Sequence, residues 1–469
     1  MTVAMPIFGL LIVILAALLL GWLGRTQRLF TLLGFTTIVV FFEYGAEAMK
    51  FFSPSRFPDD PLILEASARA PAFTLRALAA AGFAFAIFYV TYFVIAALLK
   101  PRRPLRELRH RATEQFFRTR WTVGLRIGLA LITIVTVLVG YVQPYQRIRA
   151  AGGLGQFLMT AYQHRVGTAT ETAGQTAAVV AANLLGGTAV GFLIFWTIAW
   201  FRRRLSQTEK IFVVLTWTLL LFRQLASMSR STFFFTILAL AAAILSERPI
   251  RFRRLVAVVA VLLVVLLAVN YVHMYLYFLT AGWERQNLVE STGSLIGAQG
   301  HLFTLATILA TFEWKQPLQG RGLLAASLFF IPRVVWHDKP LNSEYGTYLI
   351  QDWAGLPMVY QMAVTAPGEQ IAHFGYLGLF GMLLYGLIYA VLDTLHYGGP
   401  VARSALFGLL VPRVLVDIGM GVSAFSNSLL TAGGFVLLVY MVDFTSRLLT
   451  RRPRLIAGPA AQRVRAAVR

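Results

Sequence analysis

The chain has 469 residues, of which 58% are hydrophobic and only 13% are charged, about half the charged fraction of roughly 25% that ordinary soluble domains carry. This composition excludes a soluble globular enzyme, a disordered chain and a fibrous protein. The sequence contains no cysteine, which excludes disulfides, thiolate metal sites and cysteine nucleophiles. The net charge of +22 suits either nucleic acid or membrane lipid, and the positions of the basic residues decide between these partners.

Long apolar stretches recur along the chain, and they predict an all-α polytopic membrane protein with about 11 transmembrane helices, since roughly 20 residues cross a bilayer. Residues 1–277 form an N-terminal bundle of about eight spans, and residues 374–446 form about three more. Between them, residues 278–373 form one large external loop that contains short helices. The predicted spans are 5–23, 29–49, 72–98, 124–143, 174–200, 211–226, 231–246, 255–277, 374–394, 404–420 and 427–446.

The distribution of basic residues fixes a predicted orientation. Segment 100–126 carries nine Lys and Arg residues against two Glu, which assigns it to the cytoplasm by the positive-inside rule. Alternation then puts the N-terminus outside and the basic tail, residues 447–469, inside. The segments assigned inside hold 27 of the 42 basic residues. The charge is therefore explained by topology and by contact with anionic membrane lipids, and no nucleic-acid partner is expected.

Within the large loop, the run Ile331-Pro-Arg-Val-Val-Trp-His-Asp-Lys-Pro340 concentrates groups that suit a lipid-linked sugar. Two cations suit a pyrophosphate, a histidine or carboxylate can accept a proton, and tryptophan rings stack on sugar faces. A surface turn with a local ion pair, and an aromatic belt at the membrane interface, are the simpler alternatives. The candidates are Arg333, Trp336, His337, Asp338 and Lys339, together with Trp353 further along the loop.

A second group of candidates lies at predicted external helix ends. Glu369 and His373 are four residues apart and share one helical face, although Glu369 has the alternative role of capping that helix. Glu43 and Glu47, near the end of the second span, remain ambiguous between a functional and a structural role. Arg230 lies at a polar external turn, and Arg223, seven residues earlier, lies about two helical turns deeper in the membrane. Arg165 adds external positive charge that suits an anionic ligand.

Neither a metal nor another cofactor is expected. The chain has no Asp-x-Asp motif, and the Glu369 and His373 pair has no third ligand at a convincing spacing. Two apolar stretches of the large loop, 301–312 and 323–331, are too short to span a membrane, and we predict re-entrant or interface-lying helices there.

These motifs resemble those of bacterial oligosaccharide repeat-unit polymerases, the O-antigen polymerases of the Wzy type. The decapeptide is similar to an Ile-Pro-Arg…Trp-Pro-Asp-Lys-Pro signature. Ser227-Met-Ser-Arg230 resembles a Ser-x-x-Arg turn, Ala151-Gly-Gly153 through Arg165 resembles the first sizeable external loop, and Gly368-Glu369 through Phe374-Gly375 and Gly378 resembles the opening of the span after the large loop. His337 and His373 depart from the family pattern, which has proline and usually asparagine there.

The resemblance, which covers about residues 140–395, implies a GT-C-like membrane glycosyltransferase in the bacterial inner membrane, with a periplasmic N-terminus and a cytoplasmic C-terminus. It implies that undecaprenyl-pyrophosphate-linked oligosaccharides are polymerised into a surface polysaccharide, and a polysaccharide chain-length regulator is a further partner to expect. An O-antigen ligase that transfers glycan to lipid A core is the nearest alternative. A lipid-linked oligosaccharide flippase or transporter is less favoured, because such proteins have repeats and short external loops. A structural subunit leaves the external arginines unexplained.

Overall fold

A computed structural model describes residues 4–25, 31–54, 71–100, 105–150, 152–153, 177–226, 230–247, 301–312, 365–411 and 422–450, with the single positions 264, 268, 271, 320, 331, 335 and 336. Every regular element in these ranges is helical. The helices are α1 (Ala4–Arg25), α2 (Leu32–Val40, continued without interruption to Phe52), α3 (Pro71–Leu98), α4 (Leu105–Thr119), α5 (Val123–Val139), α6 (Val142–Ala150), α7 (Ala177–Phe201), α8 (Gln207–Ala226), α9 (Arg230–Glu247), α10 (His301–Phe312), α11 (Ala366–Phe374), α12 (Met382–Asp393), α13 (Pro400–Ala405, continued to Leu410) and α14 (Val422–Thr450).

Seven helical stretches are long and apolar enough to cross a membrane, and each coincides with a predicted span. They are Ala4–Gly24, Leu32–Phe52, Phe73–Leu98, Val123–Gln146, Leu184–Phe201, Ala366–Tyr397 and Ser428–Leu448. Many of their leucine, valine and phenylalanine side chains are exposed, which suits lipid and not water. The architecture is therefore that of an all-α protein with several membrane-crossing helices.

Four further predicted spans are not among these seven. The predicted spans 211–226 and 231–246 fall on helices α8 and α9, of which α8 carries Glu209, Lys210 and Arg223. The predicted span 404–420 begins on α13, but residues 412–421 lie outside the described residues. The predicted span 255–277 also lies outside them, apart from three single positions. The total of eleven spans stays a prediction.

Helix α7 is the centre of one group of helices, which also contains α5, α8, α9, α13 and α14. Every residue from 188 to 199 is buried. Indole N–H groups join the helices: Trp196 Nε1 donates to Thr133 Oγ1 at 3.1 Å, and Trp217 Nε1 donates to Thr197 Oγ1 at 3.1 Å. Gly191 faces Gly408 so closely that a Cβ on Gly408 would lie 2.9 Å from the Gly191 Cα. Small residues at such crossings are what packing between membrane helices favours.

The second group contains α1, α2, α3, α10, α11 and α12. Asp393, at the end of α12, accepts a hydrogen bond from Leu32 N at 2.8 Å and another from the Tyr92 hydroxyl. Thr31 caps the same helix start by accepting from Gly34 N at 3.2 Å. A carboxylate at a helix N-terminus is favoured by the helix dipole, so this contact fixes α2 to α3 and α12.

Helix ends that the sequence assigns to the same side of the membrane contact each other. At the ends assigned to the cytoplasm, buried Arg403 donates to the Glu247 carboxylate and to the Thr113 hydroxyl. Arg202 Nε donates to the second oxygen of Glu247 at 2.7 Å. Three more ion pairs follow at these ends: Arg204 with Glu114 at 2.6 Å, Arg126 with Glu209 at 3.0 Å, and Arg120 with Asp443 at 3.2 Å.

Candidate active site

Helix α11 carries two of the predicted catalytic residues. Thr365 is its N-cap: the Thr365 hydroxyl accepts from Gly368 N at 3.0 Å. Glu369 and His373 are 6% and 0% exposed. The predicted shared face is consistent with their spacing on this helix. Because Thr365 supplies the cap, capping does not by itself account for the buried carboxylate of Glu369.

The helix bends sharply directly after α11. Gly375 has φ +63°, a backbone conformation that favours glycine. A Cβ on Gly378 would lie 2.0 Å from the Gln370 carbonyl oxygen, whereas residues eight apart on a straight helix lie about 12 Å apart. The membrane-crossing part resumes as a 3₁₀ turn, Gly375–Gly381, and α12. Glu369 and His373 therefore belong to a short buried helix at the start of the stretch Ala366–Tyr397, which bends at Gly375.

Helix α10 is the partner of α11. It is the stretch that the sequence predicts as re-entrant or interface-lying, and its described side chains are buried on all sides, including His301, Thr304 and Thr307. The choice between a re-entrant and an interface-lying helix stays a prediction. A Cβ on Gly368 would lie 2.6 Å from Ile308 Cδ1 and 3.6 Å from Leu305 Cδ1, so the first turn of α11 packs against the middle of α10.

The start of α10 meets the two glutamates of α2. His301 Nδ1 lies 3.2 Å from Glu43 Oε2, and the two side chains are 2% and 20% exposed. Glu47 Oε2 accepts from Leu302 N at 3.3 Å. The first N–H groups of a helix have no partner within the helix, so Glu47 caps α10. The two glutamates thus make different contacts: Glu43 lies beside His301, and Glu47 caps α10.

The backbone of α2 is irregular where it makes these contacts. Residues Phe41–Ala46 form a π-helical turn, a feature found frequently at functional sites. Gly45 allows α1 to approach, because a Cβ there would lie 2.9 Å from Val13 Cγ2. Tyr44 is fully buried; its ring stacks on His301 with centroids 6.4 Å apart, and its hydroxyl lies beside Thr365.

We refer to Glu43, Glu47, His301, Glu369 and His373 as the carboxylate–histidine cluster. Direct contacts join the first three at the start of α10, and the packing of α11 against α10 adds the helix that carries the other two. Three helices contribute to it, and two of them, α10 and α11, come from the predicted external loop. Sequence reasoning missed the participation of Glu43 and His301. The available signals were the two carboxylates spaced four apart within an apolar span, and the histidine that begins a short apolar stretch of the loop.

Arg223 lies outside this cluster, on α8. Its Nη1 donates to the Gly186 carbonyl oxygen at 3.4 Å. It occupies the space that a side chain at Gly140 would need, since a Cβ there would lie 1.5 Å from Arg223 Nη1. Among the described residues no carboxylate pairs with Arg223. A half-buried guanidinium with this environment retains donors for an anion.

The remaining predicted site residues are not brought into the cluster by any described contact. Trp336 is half-buried beside exposed Val335, and Arg230 begins α9. The others, Arg165, Arg333, His337, Asp338, Lys339 and Trp353, lie outside the described residues.

The cluster is not arranged as a metal site: within the described part of the chain, no three histidine or acidic residues are grouped closely enough to hold an ion. Comparisons with known proteins add no assignment, because no family model, curated protein or solved structure matches the sequence.

Proposed function

We propose that this protein is a glycosyltransferase that polymerises undecaprenyl-pyrophosphate-linked oligosaccharide units at the periplasmic face of the bacterial inner membrane. The observation that carries the proposal is the buried carboxylate–histidine cluster, in which Glu369 and His373 of α11 pack beside α10. Ionisable groups enclosed among apolar helices are costly and mark functional sites by default. Both helices come from the loop whose decapeptide resembles a polymerase signature.

The reaction requires one proton acceptor and a stabilised leaving group. An acceptor sugar hydroxyl attacks the anomeric carbon of the donor glycan, forming a new C–O bond. The bond between that carbon and the pyrophosphate oxygen breaks, and its electron pair leaves with the lipid pyrophosphate. Glu369 takes the proton of the attacking hydroxyl; Asp338, His337 and His373 are the other candidates for this role.

The leaving pyrophosphate is stabilised by cations that need no metal. Arg223, with spare donors and no carboxylate partner among the described residues, is one of these cations in our proposal. Arg230, Arg333, Lys339 and Arg165 complete the set, since guanidinium groups bind phosphate oxygens in pairs. Trp336 and Trp353 hold sugar rings. Eleven spans and a GT-C-like architecture are part of the same proposal.

The test uses lipid-linked units extracted from cells that lack the protein, in which single units accumulate if it is the polymerase. Purified protein in detergent should convert them into a ladder of glycans and release one undecaprenyl pyrophosphate per bond formed. Glu369→Gln should abolish the ladder, whereas the control Glu114→Gln, which removes a charge from the opposite end of the bundle, should retain it.

A lipid-linked oligosaccharide transporter is the second candidate, because buried carboxylates and histidines also form proton pathways in transporters. A transporter would move the units across vesicle membranes and form no glycosidic bond in detergent. Product that forms only when lipid A core is added would instead indicate the ligase.

A further inference from the structure

The carboxylate–histidine cluster contains a histidine whose position the proposed reaction has not yet used. His301 is 1% exposed, and neither of its ring nitrogens has an aligned hydrogen bond among the described residues, although Nδ1 lies 3.2 Å from Glu43 Oε2. A buried polar atom without a partner costs about 1–3 kcal/mol. A histidine retained only for packing would not leave Nε2 buried without a partner among the described residues, so this side chain requires another explanation.

Exposure changes in one direction across the cluster. Glu369 and His373 are buried, the His301 side chain is 2% exposed, and the Glu43 side chain is 20% exposed. Glu43 is therefore the more exposed member of the His301 pair. A base as enclosed as Glu369 can accept a proton, but it must lose that proton before the next acceptor hydroxyl arrives.

The contacts connect the two ends of this gradient. Leu305, one turn after His301, lies 3.6 Å from the Cβ position of Gly368, the residue before Glu369. Tyr44 bridges the same gap, with its ring on His301 and its hydroxyl beside Thr365. The start of α11, which carries Glu369, is thus packed beside the helix that His301 begins, and His301 in turn contacts Glu43.

We propose that His301 and Glu43 form the exit path for the proton that Glu369 takes from the acceptor hydroxyl. This inference rests on the proposed polymerase function. His301 Nε2 receives the proton from Glu369, and the Nδ1 proton passes to the Glu43 carboxylate and then to water. The starting tautomer is restored when Nε2 loses its proton to water and Nδ1 takes one up. Histidine performs such transfers because each ring nitrogen can hold a proton. Glu47, which caps α10 through Leu302 N, takes no part.

A proton relay affects the deprotonation of Glu369 between turnovers and not the glycosyl transfer itself. A residue with a structural role would affect both steps. With enzyme in excess over lipid-linked units, only the first transfer is observed; with units in excess, the base must be reset each time. His301→Gln should leave the first transfer within about twofold of wild type. It should lower the steady-state rate by about a hundredfold, the lower end of the range for proton-transfer catalysis. Imidazole added to the buffer should restore most of that loss.

Two further variants complete the experiment. Glu43→Gln keeps the shape of the side chain but cannot carry the proton, so it should slow steady-state turnover with the same intact first transfer. Thr304→Val, a nearly isosteric change at a buried position one turn along α10, should change neither rate. It reports whether disturbed packing of α10 alone slows the enzyme.

The outcomes separate the two proposals. Equal slowing of the first transfer and of the steady state, in both His301→Gln and Glu43→Gln, would overturn the relay and leave the polymerase standing. Unchanged steady-state rates in both variants would overturn it as well. A wild-type protein that forms no glycosidic bond under any condition would refute the polymerase and the relay with it.

Discussion

A catalytic role of Glu369 can be separated from a role in helix stability, because Thr365 and not Glu369 caps the start of α11. Thr365 accepts from Gly368 N at 3.0 Å, so Thr365→Val should destabilise the start of α11 by about 1 kcal/mol. Glu369→Gln keeps the shape of the buried side chain and removes its charge. Its effect through the helix dipole should be about 0.3–1 kcal/mol.

If Glu369 is the proton acceptor, Glu369→Gln should lower the first-transfer rate by about a hundredfold or more. A hundredfold corresponds to about 2.7 kcal/mol in the barrier, well above the expected change in stability. Thr365→Val should show the reverse order, with a larger loss of thermal stability and a smaller loss of rate.

The assay combines donor binding, first-transfer rate and thermal stability on the same purified variants. Donor binding should persist in Glu369→Gln, because the charge acts on the acceptor hydroxyl and not on the pyrophosphate. Near-normal polymer formation by Glu369→Gln would refute the reasoning and would transfer the acceptor role to Asp338 or to a histidine. Loss of rate in proportion to lost stability in both variants would assign Glu369 a structural role.

Three other predictions follow from charge and topology. Because the chain has no native cysteine, Ser343→Cys should react with an impermeant thiol reagent in intact cells and Ser206→Cys should not; the opposite pattern would refute the assigned orientation. Polymer formation should persist in EDTA, and a loss that magnesium or manganese restores would show that a metal stabilises the leaving group. Arg223→Lys should retain partial activity, and Arg223→Ala should lose about a hundredfold or more of the activity. Gly140→Ala, whose Cβ would lie 1.5 Å from Arg223 Nη1, should weaken donor binding by displacing the guanidinium. Wild-type activity in all three variants would remove Arg223 from the site.

Local sequence patterns were sufficient for the long helices. Seven predicted spans coincide with membrane-length helices, because a continuous apolar stretch of that length has few other stable arrangements. The pairing of Glu369 and His373 on one face also followed from local spacing. The bend of the chain after α11 could not be predicted from local spacing, because it depends on the positive φ of Gly375 and on the contact of Gly378 with the Gln370 carbonyl.

The composition of the cluster could not be predicted from local patterns, because it depends on contacts between distant segments. His301 meets Glu43 across more than 250 positions of the chain. The π-helical turn at Phe41–Ala46 carries no sequence signature, since its extra residue is stabilised by packing against α1 and α10. The short apolar stretch that begins at His301 therefore predicted a helix, but it did not predict that His301 contacts Glu43.

The two glutamates of α2 provide the last prediction, because their contacts assign them different roles. Glu47 Oε2 accepts from Leu302 N at 3.3 Å at the start of α10, where a carboxylate is favoured by the helix dipole. Glu47→Gln keeps an acceptor oxygen and should cost about 1 kcal/mol or less in stability. Glu47→Ala should cost more, about 1–3 kcal/mol, because it leaves a buried N–H without a partner. In both variants the first-transfer and steady-state rates should fall together and in step with stability, since α10 loosens as a whole. Glu43→Gln should instead separate the two rates at nearly unchanged stability. If Glu47→Gln slows only the steady state, and added imidazole restores it, Glu47 belongs to the proton path and the assignment of separate roles is wrong.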